Sequence, residues 1–307
     1  MINAQSKQLS KEDINKKEIE YQSSSRIIST ERRNIHLFEK GSGEPILLLH
    51  GGGPGASGIS NYSRNIEELA KNFRVLVPDM PGYGKSTKGI DRKDPFGDLA
   101  NSMFKLLDKL SIPKINIVGN SLGGACALRM ALENPARVSA LILMGPGGVD
   151  TTRSFPTKGL NRLLNYYTGS GPSLEKLNTF IRENLVYKGE TIPASLIEER
   201  YKSSIDPEVV KSPPLRKPKG IPNFKNLDFT RDPRLSHCEV PTLVLWGTED
   251  KVNRPSGGLS LQRRMPNCDL YYFNHTGHWV QWERPEEFNH ITNSFLSIHA
   301  HSRNKAG

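Results

Sequence analysis

Cysteine is scarce in this chain of 307 residues: Cys126, Cys238 and Cys268 are the only three, and no two are spaced as C-x-x-C. An odd, scattered set argues against a disulfide framework and against a zinc site, and it points to a reducing, cytoplasmic setting. Cys126, five positions after Ser121, reads as a small buried apolar residue rather than a reactive thiol. Long apolar runs are also missing. None approaches the roughly 20 residues that span a bilayer, and the first residues lack the apolar core of a signal peptide. A soluble protein with no membrane partner is expected. Acidic residues are in deficit, 32 against 42 Lys and Arg, for a formal net charge of +10. The basic residues are spread along the chain without an aromatic-flanked cluster, so no nucleic-acid partner is expected. A general surface charge of this sign is compatible with anionic small molecules.

What is present is a regular alternation. Residues 1–24 are rich in Lys, Glu, Gln and Ser with little apolar periodicity, and read as a flexible tail. After Pro45 come a buried strand at Ile46–Leu49, a short helix at Asn65–Asn72 and a strand at Val75–Val77. A helix from about Asp94 to Leu110, the strand Ile115–Val118, a helix at Gly123–Glu133 and the strand Ala140–Met144 follow. Such alternation predicts an α/β fold whose central sheet is mostly parallel and flanked by helices. Over 149–235 it stops: helical segments and many prolines, with no convincing strand, read as an inserted helical cap. Within it, the basic Ser212-Pro213-Pro214-Leu215-Arg216-Lys217-Pro218-Lys219 reads as an exposed loop. Strand signals return at Pro241–Trp246 and Asp269–Phe273, and a last helix opens near Pro285 and runs to about Ile298. On this division 25–148 and 236–300 are the two parts of the core and 301–307 is a C-terminal tail.

The chemistry concentrates at Gly119-Asn120-Ser121-Leu122-Gly123, between a strand and a helix. This is the G-x-S-x-G pattern of a nucleophile elbow: glycines two positions either side allow a strained turn that lifts the serine hydroxyl out of the sheet. The amide of Leu122 would then face a developing oxyanion. A serine hydroxyl needs a base, and the base an orienting carboxylate; in this chain order the acid follows a late strand and the histidine comes last. Asp250, four residues past Trp246, and His278, in Gly277-His278-Trp279, fit those places. Their rivals are Glu249 and His275. Order and spacing favour Asp250, and the glycine before His278 favours that histidine because it lets the loop turn inwards.

The loop His50-Gly51-Gly52-Gly53-Pro54-Gly55 follows the first buried strand, where the second oxyanion donor of such enzymes arises, and Gly52 would supply it. The same loop carries a competitor. Gly53-Pro54-Gly55-Ala56-Ser57-Gly58 is a literal G-x-G-x-x-G, and Asp79 ends the next strand about where a ribose-binding acid would sit. Against a dinucleotide site, Pro54 removes an amide from a loop meant to donate amides, and Ser121, Asp250 and His278 go unexplained. Gly82-Tyr83-Gly84-Lys85-Ser86 hints at a phosphate loop, but its required first glycine falls at Asp79. No motif calls for a metal or an organic cofactor.

Taken together these residues resemble the meta-cleavage product hydrolases, carbon–carbon bond hydrolases of the α/β-hydrolase superfamily. The resemblance spans about 18–298. It rests on the His50–Gly55 loop, Ser60-Asn61-Tyr62-Ser63-Arg64-Asn65, the elbow through Gly124, Leu143-Met144-Gly145-Pro146-Gly147-Gly148, and Gly277-His278-Trp279-Val280-Gln281-Trp282-Glu283. It implies hydrolysis of 2-hydroxy-6-oxohexa-2,4-dienoates, ring-opened products of extradiol catechol cleavage with an alkyl, aryl or steroid-sized group at C6. By resemblance Ser121, Asp250 and His278 are the triad and the amides of Gly52 and Leu122 the oxyanion hole. Asn61, Asn120, Arg200 and Trp279 would grip the dienoate end, Gly147 and Leu185 would line the apolar subsite, and the protein would be at least a dimer. A carboxylesterase of the same fold and a non-catalytic small-molecule receptor are the alternatives. The sequence departs from the family at Lys211–Lys225, which is unusually basic and Pro-rich, and at Asn253-Arg254-Pro255-Ser256-Gly257-Gly258.

Overall fold

The computed structural model describes residues 21, 23–150, 155–217 and 226–301. Most of the expected N-terminal tail, the C-terminal stretch beyond 301 and the end of the Pro-rich loop lie outside them. Strands β1 (Ser25–Ser29), β2 (Asn34–Lys40), β3 (Glu44–Leu49), β4 (Phe73–Pro78), β5 (Ile115–Asn120), β6 (Val138–Met144), β7 (Thr242–Gly247) and β8 (Cys268–Phe273) form one sheet. Its order is β1-β2-β4-β3-β5-β6-β7-β8. β3 to β8 are parallel; β2 is antiparallel to both β1 and β4.

Strands covered on both faces must be apolar at every position, and this is what the middle of the sheet shows. Alternate residues of β3, β5 and β6 divide between two layers. Leu47, Leu49, Ile117, Leu141 and Leu143 pack with Leu99, Met103 and Leu106 of α1 (Pro95–Lys109) and Ala127 of α2 (Leu122–Glu133). Ile46, Leu48, Val118, Ile142 and Met144 pack on the other side with Phe288 and Leu296. α1 begins where the sequence dictates: the Asp94 carboxylate accepts the Gly97 amide at 3.1 Å and Pro95 opens the first turn.

β1 and β2 have no counterpart in the sequence reading. β1 is the edge strand and alternates only between partly buried and exposed residues; β2, paired on both sides, is buried over Ile35–Phe38, but His36 interrupts its apolar run. The short helix expected over Asn65–Asn72 is a single turn, Ile66–Leu69, preceded by another turn at Gly58–Tyr62 whose Ser57 and Ser60 form a capping box.

Between β6 and β7 the described residues contain no strand. Helices α3 (Lys158–Leu164), α4 (Leu174–Phe180) and α5 (Ala194–Ser204) gather Leu163, Leu177, Phe180, Ile181 and Ile197 into a third cluster. That cluster also includes Val252 and Trp279, from the loops after β7 and β8, so the cap is packed directly onto the strand ends. No helix among the described residues is long and apolar enough to cross a membrane.

Candidate active site

Ser121, Asp250 and His278 all follow the carboxyl ends of parallel strands, β5, β7 and β8, where open α/β sheets place their sites. Ser121 has φ 54° and ψ −112°, a left-handed conformation that costs an L-residue about 1–3 kcal/mol and persists only when its surroundings enforce it. They do so here. Its amide donates to the Met144 carbonyl and its own carbonyl accepts the Ala125 and Gly147 amides, each at 2.9 Å. The flanking glycines are steric requirements: a Cβ on Gly119 would lie 2.4 Å from the Gly123 carbonyl oxygen, and one on Gly123 would lie 2.2 Å from that of Leu49.

His278 Nδ1 and Asp250 Oδ2 are 2.7 Å apart and both side chains are buried. The same Oδ2 accepts the Trp246 indole N–H at 2.9 Å, while Oδ1 accepts the amides of Val252 at 2.8 Å and Asn253 at 2.9 Å. Four donors on one carboxylate fix its plane. With Nδ1 so engaged, Nε2 is the ring nitrogen that has no protein partner among the described residues, and His278 shares one cavity wall with Ser121. Among the rivals, Glu249 is half-buried and tied to Thr276 only through its backbone; His275 is exposed and stacked on Tyr187.

Trp246 carried no functional signal in the sequence, where a strand tryptophan reads as core. A Trp246→Phe protein keeps the packing but loses one charge-assisted donor, and its kcat is expected to fall about tenfold with KM nearly unchanged. Steady-state kinetics check this; an unaltered kcat would make Trp246 a packing residue only.

The glycine loop is held from below. Buried His50 accepts the Met80 amide at Nε2 and donates to the Gly51 carbonyl from Nδ1, both at 2.9 Å. Burial lowers the pKa of His50 and keeps it neutral, as this donor–acceptor arrangement needs. The Tyr83 hydroxyl donates to the Gly52 carbonyl at 3.0 Å. No acceptor among the described residues takes the amides of Gly52 or Leu122, and these residues are neighbours: a Cβ on Gly52 would sit 3.0 Å from a Leu122 methyl. The G-x-G-x-x-G competitor has a steric explanation instead. A Cβ on Gly53 would meet the Arg200 guanidinium at 2.4 Å, and one on Gly55 the Arg200 carbonyl oxygen at 1.7 Å, so these glycines make room for α5. Asp79 is engaged by His36 at 2.9 Å, the Gly58 amide at 2.8 Å and the Lys85 amide at 2.9 Å.

The cavity over Ser121 is lined by the glycine loop, Asn61, Asn120, Leu163, Phe180, Leu185, Arg200, Val252, His278 and Trp279. Gly147 is not among its lining residues; it lies behind the elbow, fastening the Ser121 carbonyl. Asn61 and Asn120 line the cavity with their amides already engaged. Asn61 accepts the Gly51 amide at 3.3 Å and donates to the Ser57 carbonyl at 3.1 Å; Asn120 donates to the carbonyls of Met144 at 3.3 Å and His278 at 3.2 Å. Arg200 is buried, donates from Nε to the Pro54 carbonyl at 3.1 Å and lies over the Trp279 ring at 5.4 Å. No carboxylate among the described residues pairs with it, and burial pulls its pKa down to about 10. Trp279 is buried too, and its indole N–H has no partner among the described residues.

Residues 44–285 match the family model for the α/β hydrolase fold. A 2-hydroxy-6-oxo-6-phenylhexa-2,4-dienoate hydrolase of Burkholderia cepacia is 38% identical over 267 residues, covering 86% of this chain and 91% of that protein. The chain belongs to the meta-cleavage product hydrolase family. A second relative, a 2-hydroxy-6-oxononadienedioate/2-hydroxy-6-oxononatrienedioate hydrolase of Comamonas testosteroni, has the same identity and coverage. Among solved structures, a meta-cleavage product hydrolase from Pseudomonas fluorescens IP01 superimposes with a TM-score of 0.79 at 29% identity, over 89% of this chain and 97% of that one. The 2-hydroxy-6-oxo-6-phenylhexa-2,4-dienoate hydrolase of Rhodococcus sp. strain RHA1 also gives 0.79, at 26% identity over 89% and 99%. As a meta-cleavage product hydrolase, the protein is a hydrolase of carbon–carbon bonds.

Proposed function

We propose that the protein cleaves the C5–C6 bond of a 2-hydroxy-6-oxohexa-2,4-dienoate, with Ser121 as nucleophile, His278 as base and Asp250 as its orienter. Arg200 carries the reading. An arginine buried without a carboxylate partner among the described residues, in the wall of the cavity that holds Ser121, is costly unless an anion arrives to pair with it. The dienoate carboxylate is such an anion. The unpaired indole N–H of Trp279 offers a second donor at the same end. Asn61 and Asn120, in the same wall, hold Gly51 and the His278 carbonyl in place beside the polar end of the substrate, and Leu185 lies along the wall toward the apolar end.

On this reading the dienol is first ketonised, a proton reaching C5 so that this carbon can later accept electrons. Ser121 Oγ then attacks C6 while its proton passes to His278 Nε2, and the oxyanion is held by the Gly52 and Leu122 amides. Collapse breaks the C5–C6 bond, the electron pair goes into the ketonised fragment, and the acyl group left on Ser121 is hydrolysed by water activated at His278. By family resemblance the enzyme works as a homo-oligomer, and its three free, scattered cysteines fit a reducing cytoplasm. A panel of coloured ring-cleavage dienoates and simple aryl esters tests the reading through kcat/KM and bleaching of the dienol. Dienoates are expected to be preferred by at least about 100-fold, since an ester leaves Arg200 unpaired. Turnover of esters with the dienoates untouched overturns it.

A further inference from the structure

Glu283 is a half-buried carboxylate, five residues past His278, that the chemistry above leaves unused. It ends the short helix α6 (Val280–Glu283). Its Oε1 accepts the amide of Gly277, the residue before His278, at 2.8 Å; its Oε2 accepts the amide of Tyr187, in the cap, at 2.7 Å. One side chain thus bridges the histidine loop and the chain two residues past the cavity-lining Leu185.

The two segments meet closely at this point. The His278 amide donates to the Leu185 carbonyl at 2.9 Å. A Cβ on Gly277 would lie 2.8 Å from the Tyr187 nitrogen and 2.8 Å from two backbone atoms of Val186, so the backbones touch with no room between them. The Tyr187 ring stacks on His275, ring centres 5.4 Å apart, and His275 itself has φ 52°. Ile181–Leu185, just before the contact, is a π-helical turn, a wider coil often found at functional positions.

We propose that Glu283 is a positioning residue: its ionised carboxylate clasps the cap to the histidine loop, so that His278 holds its productive orientation only while the cap is seated. The inference rests on the assignment of His278 as the base. An ionised carboxylate offers an acceptor oxygen to each amide, whereas a neutral acid or an amide side chain presents one good acceptor and a donor that opposes the second N–H. Burial raises the pKa of Glu283 to about 7, against the lowering effect of the Tyr187 and Gly277 amides. Of the charged and titratable groups around it, Asp250 opposes its ionisation and His278 favours it. His275 is turned to the Tyr187 ring, Arg284 pairs with Glu287, and Arg64 donates to the Trp282 carbonyl. A folded-state pKa raised above the ordinary value favours the protonated fold: this group's contribution to stability grows as pH falls from about 7 toward the ordinary value of 4.5. The clasp is therefore ionised at a cost to stability.

The test is Glu283→Gln against wild type, with kcat measured from pH 5.5 to 8.5 on whichever substrate, dienoate or ester, the wild type turns over. The quantity compared is the ratio of the two kcat values at each pH. That ratio is expected to be roughly tenfold at pH 8.5 and to shrink to about twofold at pH 5.5, where wild-type Glu283 is itself neutral. KM is expected to change little, and Tm is expected to hold or rise, since the variant carries no buried charge. Amide hydrogen exchange at Tyr187 and Gly277 reads the clasp without any substrate: corrected for intrinsic rates, at least one of the two amides should lose protection about tenfold in the variant at pH 8.5. A ratio independent of pH, or a lowered Tm with both amides as protected as in wild type, overturns the proposal. Because dienoate preference is scored on the wild type alone, failure of the substrate reading and failure of the clasp are separate results.

Discussion

Replacing Ser121 by alanine is expected to lower kcat on a dienoate by at least about 10⁴-fold while leaving the protein folded and able to bind its substrate. The size follows from the removal of the attacking oxygen: members of a nucleophile–base pair act as a unit, and only the oxyanion donors and binding contacts keep working without one. Because Ser121 sits at φ 54°, a Ser121→Gly protein supplies a control. It is equally inactive but free of the steric penalty, so its Tm should exceed that of the alanine variant. Single-turnover bleaching of the dienol and thermal melting of both variants measure the effect. Turnover by Ser121→Ala near the wild-type rate would remove the serine from the mechanism, whatever the substrate.

The second large effect concerns Arg200, and there activity and stability move in opposite directions. A guanidinium that has lost its water, has one backbone acceptor and has no carboxylate partner among the described residues is a burden on the folded protein. At a pKa of about 10 it stays charged at neutral pH, so the burden is carried throughout the working range. Arg200→Met, of similar length and apolar, is expected to keep or raise Tm and to lower kcat/KM for dienoates by about 10²–10³-fold. Removing one member of a desolvated charge pair costs roughly 2–5 kcal/mol. Turnover of a neutral aryl ester should fall much less. Equal losses on both substrates would mean that Arg200 supports the cap and not the carboxylate.

The middle of the sheet and the elbow were legible in the sequence for one reason: parallel strands covered on both faces have to be continuous apolar runs, and their loops have to be punctuated by glycine. β3 to β8 were visible on that signal, with ends misplaced by one or two residues, in part because polar residues such as Glu44 and Asn120 continue the ladder. β1 was not visible, since an edge strand needs no such run, and β2 was not because His36 breaks its short apolar run. Asp250 and His278 were accessible through chain order alone. Trp246 and Glu283 were hidden because each acts through a partner fixed only by folding: an indole turned onto the acid four residues later, and a carboxylate reaching an amide 96 residues away in the cap. Asn61 and Asn120, expected to grip the substrate, also donate to backbone carbonyls, a bracing role that no residue pattern reveals.

The fit between the glycine loop and Arg200 also bears on how such enzymes can be altered. The Arg200 guanidinium occupies the space where a side chain at Gly53 would stand, the Arg200 backbone that at Gly55, and a carbonyl oxygen of the cap lies 1.7 Å from the Cβ position of Gly55. The cap is consequently not an interchangeable part. A lid taken from another hydrolase would have to arrive in the same helical register over this loop, or bring its own loop with it. Chimeras that exchange the segment between β6 and β7 together with His50–Gly55 should fold more often than those that exchange the segment alone.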